Sequence, residues 1–123
     1  MIMIIEDDND IRELLKMALE MEGYEVLAAE NGHRALELIE DNRHQPQLAL
    51  LDLNMPGMSG QELIQHLHQI PTIVLSAASK NVLEGVSGVE GVLQKPVDFD
   101  VLFALIDKII LNQKSSMGLT THG

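Results

Sequence analysis

The stretch "LALLDLNMPGMSG", residues 48–60, carries a short apolar run to a single carboxylate, Asp52, and then bends through a Pro/Gly-rich loop. Four apolar residues in succession, with no polar alternation, suit a strand covered by helices on both faces, as in the interior of a parallel sheet. Asp starts turns well, so Asp52 taken alone reads as a turn former. Its neighbours in the fold decide whether it is more than that.

Working outward, residues 2–5 (IMII), 24–29 (YEVLAA), 72–75 (TIVL) and 91–94 (GVLQ) read as companion strands. The intervals have helical spacing. Ile11, Leu14, Leu15, Ala18 and Leu19 recur on one face, with Asp10 and Glu13 placed as a capping box and Gly23 as a stop. Further helices are expected at residues 32–41, 60–67 and 98–111, with a short one at 79–86. Strands alternating with helices give an α/β domain with a parallel sheet and right-handed crossovers. The pattern alone leaves the strand order open.

Composition narrows the function. Nineteen acids against eight Lys and Arg give a formal charge of −11, which repels phosphate backbones and excludes direct nucleic-acid binding by this domain. With no Trp, one Tyr and two Phe, a base-stacking platform is equally unsuited. No cysteine is present, so neither a disulfide nor a thiolate metal site is available. The start "MIMIIEDD" lacks a basic flank and a long apolar core, and no segment has the length of a membrane span. A cytoplasmic protein without a membrane partner is the expectation.

The chemistry gathers at the strand ends. IMII runs into Glu6 and Asp7, LALL into Asp52, TIVL into Ser76, and GVLQ into Lys95. In a parallel sheet these are carboxyl ends along one edge, where open α/β sheets bind ligands. Three carboxylates there repel one another unless a cation neutralises them, and hard oxygen donors suit Mg²⁺. With Mg²⁺, Lys95 and the Ser76 hydroxyl sharing the oxygens of a phosphoryl group, Asp52 is free to act as nucleophile.

The stretches "IIEDDNDIRELL", "LLDLNMPGMSG", "VLSA" and "QKP", in this order, resemble the receiver domain of two-component response regulators over about residues 1–111. The likeness is to the single-domain, chemotaxis-regulator type. It implies a flavodoxin-like, doubly wound five-stranded parallel sheet of order 2-1-3-4-5. It also implies that Asp52 accepts phosphate from a sensor histidine kinase or a histidine phosphotransfer protein. Glu6 and Asp7 match the Mg²⁺-binding acidic pair, and Asn54 the position whose backbone carbonyl coordinates the metal. Ser76 matches the switch hydroxyl, Lys95 the phosphate-contacting lysine, and the Lys95–Pro96 bond is expected to be cis. Two features depart from the family's pattern. Val92 stands where an aromatic switch residue is common, and the stretch between Ser76 and Lys95 is short.

The resulting expectation is a phosphorylation-controlled switch, self-phosphorylating with slow loss of phosphate, and not a turnover enzyme. Residues 1–111 form the domain and 112–123 a flexible tail. Output passes to a protein effector or a second copy through the face made by the 79–86 helix, the 91–94 strand and the 98–111 helix. On that last helix, Leu102, Phe103, Ile106, Ile109 and Ile110 form the inward stripe, leaving Val101 and Leu105 outside. Two alternatives compete. A metal-dependent phosphohydrolase would want an Asp as general acid two residues after the nucleophile, where Asn54 stands. A phosphorylation-independent binding module would keep the fold and lose the chemistry. Other polar residues take plainer roles: Asp8 as a solvated loop residue, Asp10 as a cap, and His66 and His68 on different helix faces, unsuited to share a metal.

Overall fold

All five strands have their last residues within one step of the expected ends, and this aligns the chemistry at the sheet's carboxyl edge. The computed structural model describes residues 1–41, 45–52, 60–67, 69–76 and 89–122, of which 60–61 and 114–122 by backbone only. Asn54 and the helix expected at 79–86 lie outside the described residues.

The strands β1 (Ile2–Ile5), β2 (Val26–Ala29), β3 (Leu48–Asp52), β4 (Thr72–Ser76) and β5 (Gly91–Gln94) are all parallel, in the order β2-β1-β3-β4-β5. The helices are α1 (Asn9–Met21), α2 (Gly32–Glu40), α3 (Gly60–His66) and α4 (Phe99–His122). β1, β3 and β4 are buried along their whole length, which is why their sequences read as unbroken apolar runs.

Alternation along the strands divides the core in two. Met3, Ile5, Ala49, Leu51 and Val74 face one way and pack with Ala35 and Leu38 of α2 and Leu63 and Ile64 of α3. Ile2, Ile4, Leu48, Leu50, Ile73 and Leu75 face the other way, against Leu15 and Leu19 of α1 and Leu102, Ile106 and Ile109 of α4. A Leu or Ile fully buried in this way contributes about 1.5–3 kcal/mol. Either layer alone therefore outweighs the cost of a few buried polar groups.

Helix ends show where local chemistry overrides the simplest pattern. The N-cap of α1 is Asp8, whose Oδ1 accepts from Ile11 N at 3.0 Å, and not Asp10, which lies inside the first turn. Asp8, Asn9 and Asp10 are all cap-capable. Asp8 takes the role because its own carbonyl accepts the first helical bond, from Arg12 N at 2.9 Å. At the other end Gly23 adopts φ +93°, its N–H donates to Glu20 O, and Tyr24 N donates to Leu19 O. This left-handed closure favours glycine and uses Tyr24, so β2 begins at Val26 and not at residue 24.

α4 corrects two expectations. It runs through the stretch read as a tail, to His122. Asn112–Met117 has lost the apolar stripe but contains neither Gly nor Pro, so nothing in it breaks a helix. Gln113 Nε2 also ties it to Gln47 O at 3.1 Å. Leu105 is not on the outer side: Gly91 carries no side chain, and a Cβ there would lie 2.8 Å from Leu105 Cδ2, which packs over β5 instead. Val101 is about half exposed, at 49%.

Candidate functional site at the carboxyl edge of the sheet

Register places the site. Asp52, the last residue of β3, pairs with Leu75, and Ser76, the last residue of β4, pairs with Gln94. One bond past the ladder, Lys95 N donates to Ser76 O at 2.8 Å, and Glu6 N donates to Ala29 O at 3.1 Å. Four strands thus present Glu6, Asp52, Ser76 and Lys95 along one edge, Ser76 one residue and Lys95 two residues beyond the row of Glu6 and Asp52. Alternation then sorts them. Glu6 continues the Ile2–Ile4 set, Asp52 the Leu48–Leu50 set and Lys95 the Leu93 set, so these three share the α1/α4 side of the sheet.

The side chains meet there. Lys95 Nζ lies 3.3 Å from Glu6 Oε2 and 3.3 Å from Asp52 Oδ1. Glu6, Asp52 and Ser76 are buried, at 1%, 3% and 0% exposure. Lys95 also lines an apolar groove of about 480 Å³ with Ile11, Leu15, Pro96 and Phe99. The Lys95–Pro96 bond is cis, as the resemblance implies.

The electrostatics are those of two buried anions and one cation. Burial, then the Asp52 charge and a hydrogen bond with Asp52, push the Glu6 carboxyl up to about 7, against the partial relief of Lys95. Burial pulls Lys95 down, but the charges of Asp52 and Glu6 outweigh it and hold the ammonium above its ordinary range. The cluster is short of positive charge.

A divalent cation fits that deficit. Among the described residues Glu6, Asp7 and Asp52 bring one carboxylate oxygen each within 4.8 Å of one another, with Asp7 exposed. Opposite ligands around Mg²⁺ stand about 4.2 Å apart, from bond lengths of about 2.1 Å. Hard oxygen donors at nearly this spacing, open to water on the Asp7 side, suit an ion that keeps several waters. Asn54, the fourth residue expected at the metal, lies outside the described residues.

A residue that sequence reasoning passed over also belongs here. Arg12, on the first turn of α1, donates from Nη1 to Glu6 O at 2.9 Å and from Nη2 to Asn9 Oδ1. Its spacing of three from Asn9 was the available signal.

A parallel sheet of order 2-1-3-4-5 with a buried carboxylate, a lysine and an acidic pair at its carboxyl edge defines a flavodoxin-like domain of the receiver class. The chain belongs to the response regulator receiver domain family, whose model matches residues 2–107. It is 39% identical over 111 residues to the uncharacterized transcriptional regulatory protein YrkP of Bacillus subtilis, covering 85% of this chain and 47% of that one. It is 37% identical over 118 residues to the phosphate regulon transcriptional regulatory protein PhoB of Pseudomonas aeruginosa, covering 89% and 51%. The chain spans about half the length of these curated relatives. Among solved structures it resembles the response regulator TrrA of Thermotoga maritima, in complex with Mg²⁺-BeF, at 34% identity and a TM-score of 0.78, covering 88% of this chain and 96% of that one.

Receiver domains are the phosphorylation-controlled part of two-component response regulators and work with histidine kinases and effectors. Both relatives are named as transcriptional regulatory proteins. The expectation of no nucleic-acid contact concerns this acidic domain, and not those longer proteins. Among the described residues no helix is long and apolar enough to cross a membrane.

Proposed function

We propose that Asp52 is the phosphoacceptor of a signalling switch, taking a phosphoryl group from the phosphohistidine of a sensor kinase or histidine phosphotransfer protein. The observation that carries this reading is the position of Lys95 Nζ, 3.3 Å from both buried acids at the end of the central strand. An Asp52 oxygen forms the new P–O bond as the donor's P–N bond breaks, and the imidazole leaves with its electron pair. Lys95 turns from the carboxylates toward the incoming phosphoryl oxygens, which need its charge more. Ser76 donates its hydroxyl to one of them, and this hydrogen bond is the first movement of the switch.

Glu6, Asp7 and Asp52, with the backbone carbonyl of Asn54, would hold Mg²⁺. Bound there, the ion supplies charge neutralisation for the phosphoryl oxygens. Glu6 is pushed up to about 7, chiefly by burial, and a cation held there would favour its anionic form. Water reaching the phosphorylated Asp52 releases phosphate slowly, so the domain resets without being a turnover enzyme. The signal leaves for a protein effector or a second copy through the face of β5 and α4. With Leu105 packed inward, Val101 is the apolar contact on that face. Cytoplasmic residence follows from the partners.

The beryllofluoride mimic tests this reading. With Mg²⁺ present it is expected to shift the amide resonances of Asp52, Ser76 and Lys95 together, and to leave Asp52→Asn unmoved. Shifts that survive in Asp52→Asn, or that need no Mg²⁺, would overturn the assignment.

A further inference from the structure

The turn between β1 and α1 carries three consecutive acids, Glu6, Asp7 and Asp8, two of which face Asp52 across the pocket. Such a turn repels itself, so its shape depends on ties. The Glu6 N–H is held by Ala29 O, and Asp8 is held as the cap of α1. Asp8 N also donates to Glu6 Oε1 at 3.3 Å. The Glu6 carbonyl is held by a side chain, the guanidinium of Arg12.

Arg12 is half-buried, and its direction follows from helix geometry, since side chains on α1 lean toward its N-terminus. From one turn into the helix the guanidinium reaches back over the turn. Its planar fork spans two acceptors at once, Glu6 O and Asn9 Oδ1. An ammonium is a point donor without that fork. Arg12 therefore links the end of β1 to the start of α1, and sets the angle at which Glu6 and Asp7 leave the backbone.

We propose that Arg12 is a positioning residue for the cation site: it contacts neither metal nor phosphoryl group, but fixes the peptide from which the two acids project. The proposal rests on the functional reading above. It makes a prediction whose sign separates it from simple charge. A cation near a dication site repels the ion, so by charge alone Arg12→Ala should bind Mg²⁺ more tightly. If Arg12 positions the acids, its loss should weaken binding.

The test is a titration of the full 123-residue chain with MgCl₂ alone, following the amide resonances of Asp7 and Asp52, with thermal melts of each variant alongside. Arg12→Ala is expected to raise the Mg²⁺ Kd about tenfold, in the range seen when supporting partners of metal ligands are removed. Arg12→Lys, which keeps the charge and reaches one acceptor, is expected to fall between, and it serves alone if Arg12→Ala does not fold. At saturating Mg²⁺ the rate of phosphorylation by acetyl phosphate is expected to return toward that of the parent. An Arg12→Ala Kd equal to or below the parent's, or an Arg12→Lys Kd equal to the parent's, would overturn the proposal while leaving Asp52 chemistry intact. A parent chain whose Asp7 and Asp52 resonances ignore Mg²⁺ would overturn the functional reading and this inference with it.

Discussion

Replacing Asp52 by Asn tests the buried acid pair through stability, independently of any phosphate. Glu6 titrates near 7 in place of 4.5, because of burial first and then of Asp52. At about 1.4 kcal/mol per pKa unit, a rise of that size makes the charged form of Glu6 about 3 kcal/mol less favourable in the fold than in the unfolded chain. Because the folded pKa is raised, the folded state binds more protons than the unfolded one between 4.5 and 7. The corresponding stability is fully present below pH 4.5 and is lost as pH rises through about 7. The burial share of that loss survives in Asp52→Asn; the share due to Asp52, a part of that roughly 3 kcal/mol, does not. The lost Asp52–Lys95 ion pair is common to pH 5 and pH 8 and cancels between them. Urea unfolding of parent and variant in EDTA at both pH values should therefore find the variant better off, relative to the parent, at pH 8 than at pH 5, by less than that roughly 3 kcal/mol. Parallel pH dependences in the two proteins would refute the coupling of Glu6 to Asp52.

Mg²⁺ at one hundred times its Kd should stabilise the parent by about 2.7 kcal/mol, and Asp7→Ala should abolish the gain; a melting temperature indifferent to millimolar Mg²⁺ would contradict this. Tyr24 donates to Asp107 Oδ1 at 2.6 Å, and burial, then that bond, push its phenol up to about 12. Its share of stability is present below pH 10 and lost as pH rises toward 12, so Tyr24→Phe should lose about 1 kcal/mol at pH 8 and show a flatter alkaline limb in urea unfolding. Val101→Glu should leave phosphorylation of Asp52 unchanged and weaken self-association or effector capture, measured by sedimentation and pull-down with and without beryllofluoride. Equal behaviour of variant and parent in both assays would remove Val101 from the output face.

Much of the site was legible because a parallel sheet turns sequence position into spatial position. Once residues 2–5, 48–51, 72–75 and 91–94 are strands, Glu6, Asp52, Ser76 and Lys95 must share an edge. Period-two alternation further separates Ser76 from the other three, a step open to sequence reasoning that the strand ends alone do not make. The strand order came from family resemblance, since apolar runs covered on both faces carry no information about their neighbours. Contacts between side chain and backbone were less legible. Asp8 and Asp10 are equivalent as caps in composition, and only the position of the first helical hydrogen bond separates them. Leu105 read as outward because helical periodicity cannot register that Gly91, on a distant strand, leaves space beneath it. The run of α4 to His122 was missed for a related reason: losing an apolar stripe removes the evidence of packing, but not the capacity to be helical.

The proposed function requires one carboxylate, Asp52, to take one phosphoryl group. Incubating the full chain with Mg²⁺ and acetyl phosphate and weighing it intact measures this directly. The parent is expected to gain a single phosphoryl group, EDTA to prevent it, and Asp52→Asn to gain none. Phosphate released over many turnovers with no adduct would point to a phosphohydrolase. A parent chain of unchanged mass that releases no phosphate would point to a binding module, and a phosphorylated Asp52→Asn would place the acceptor elsewhere.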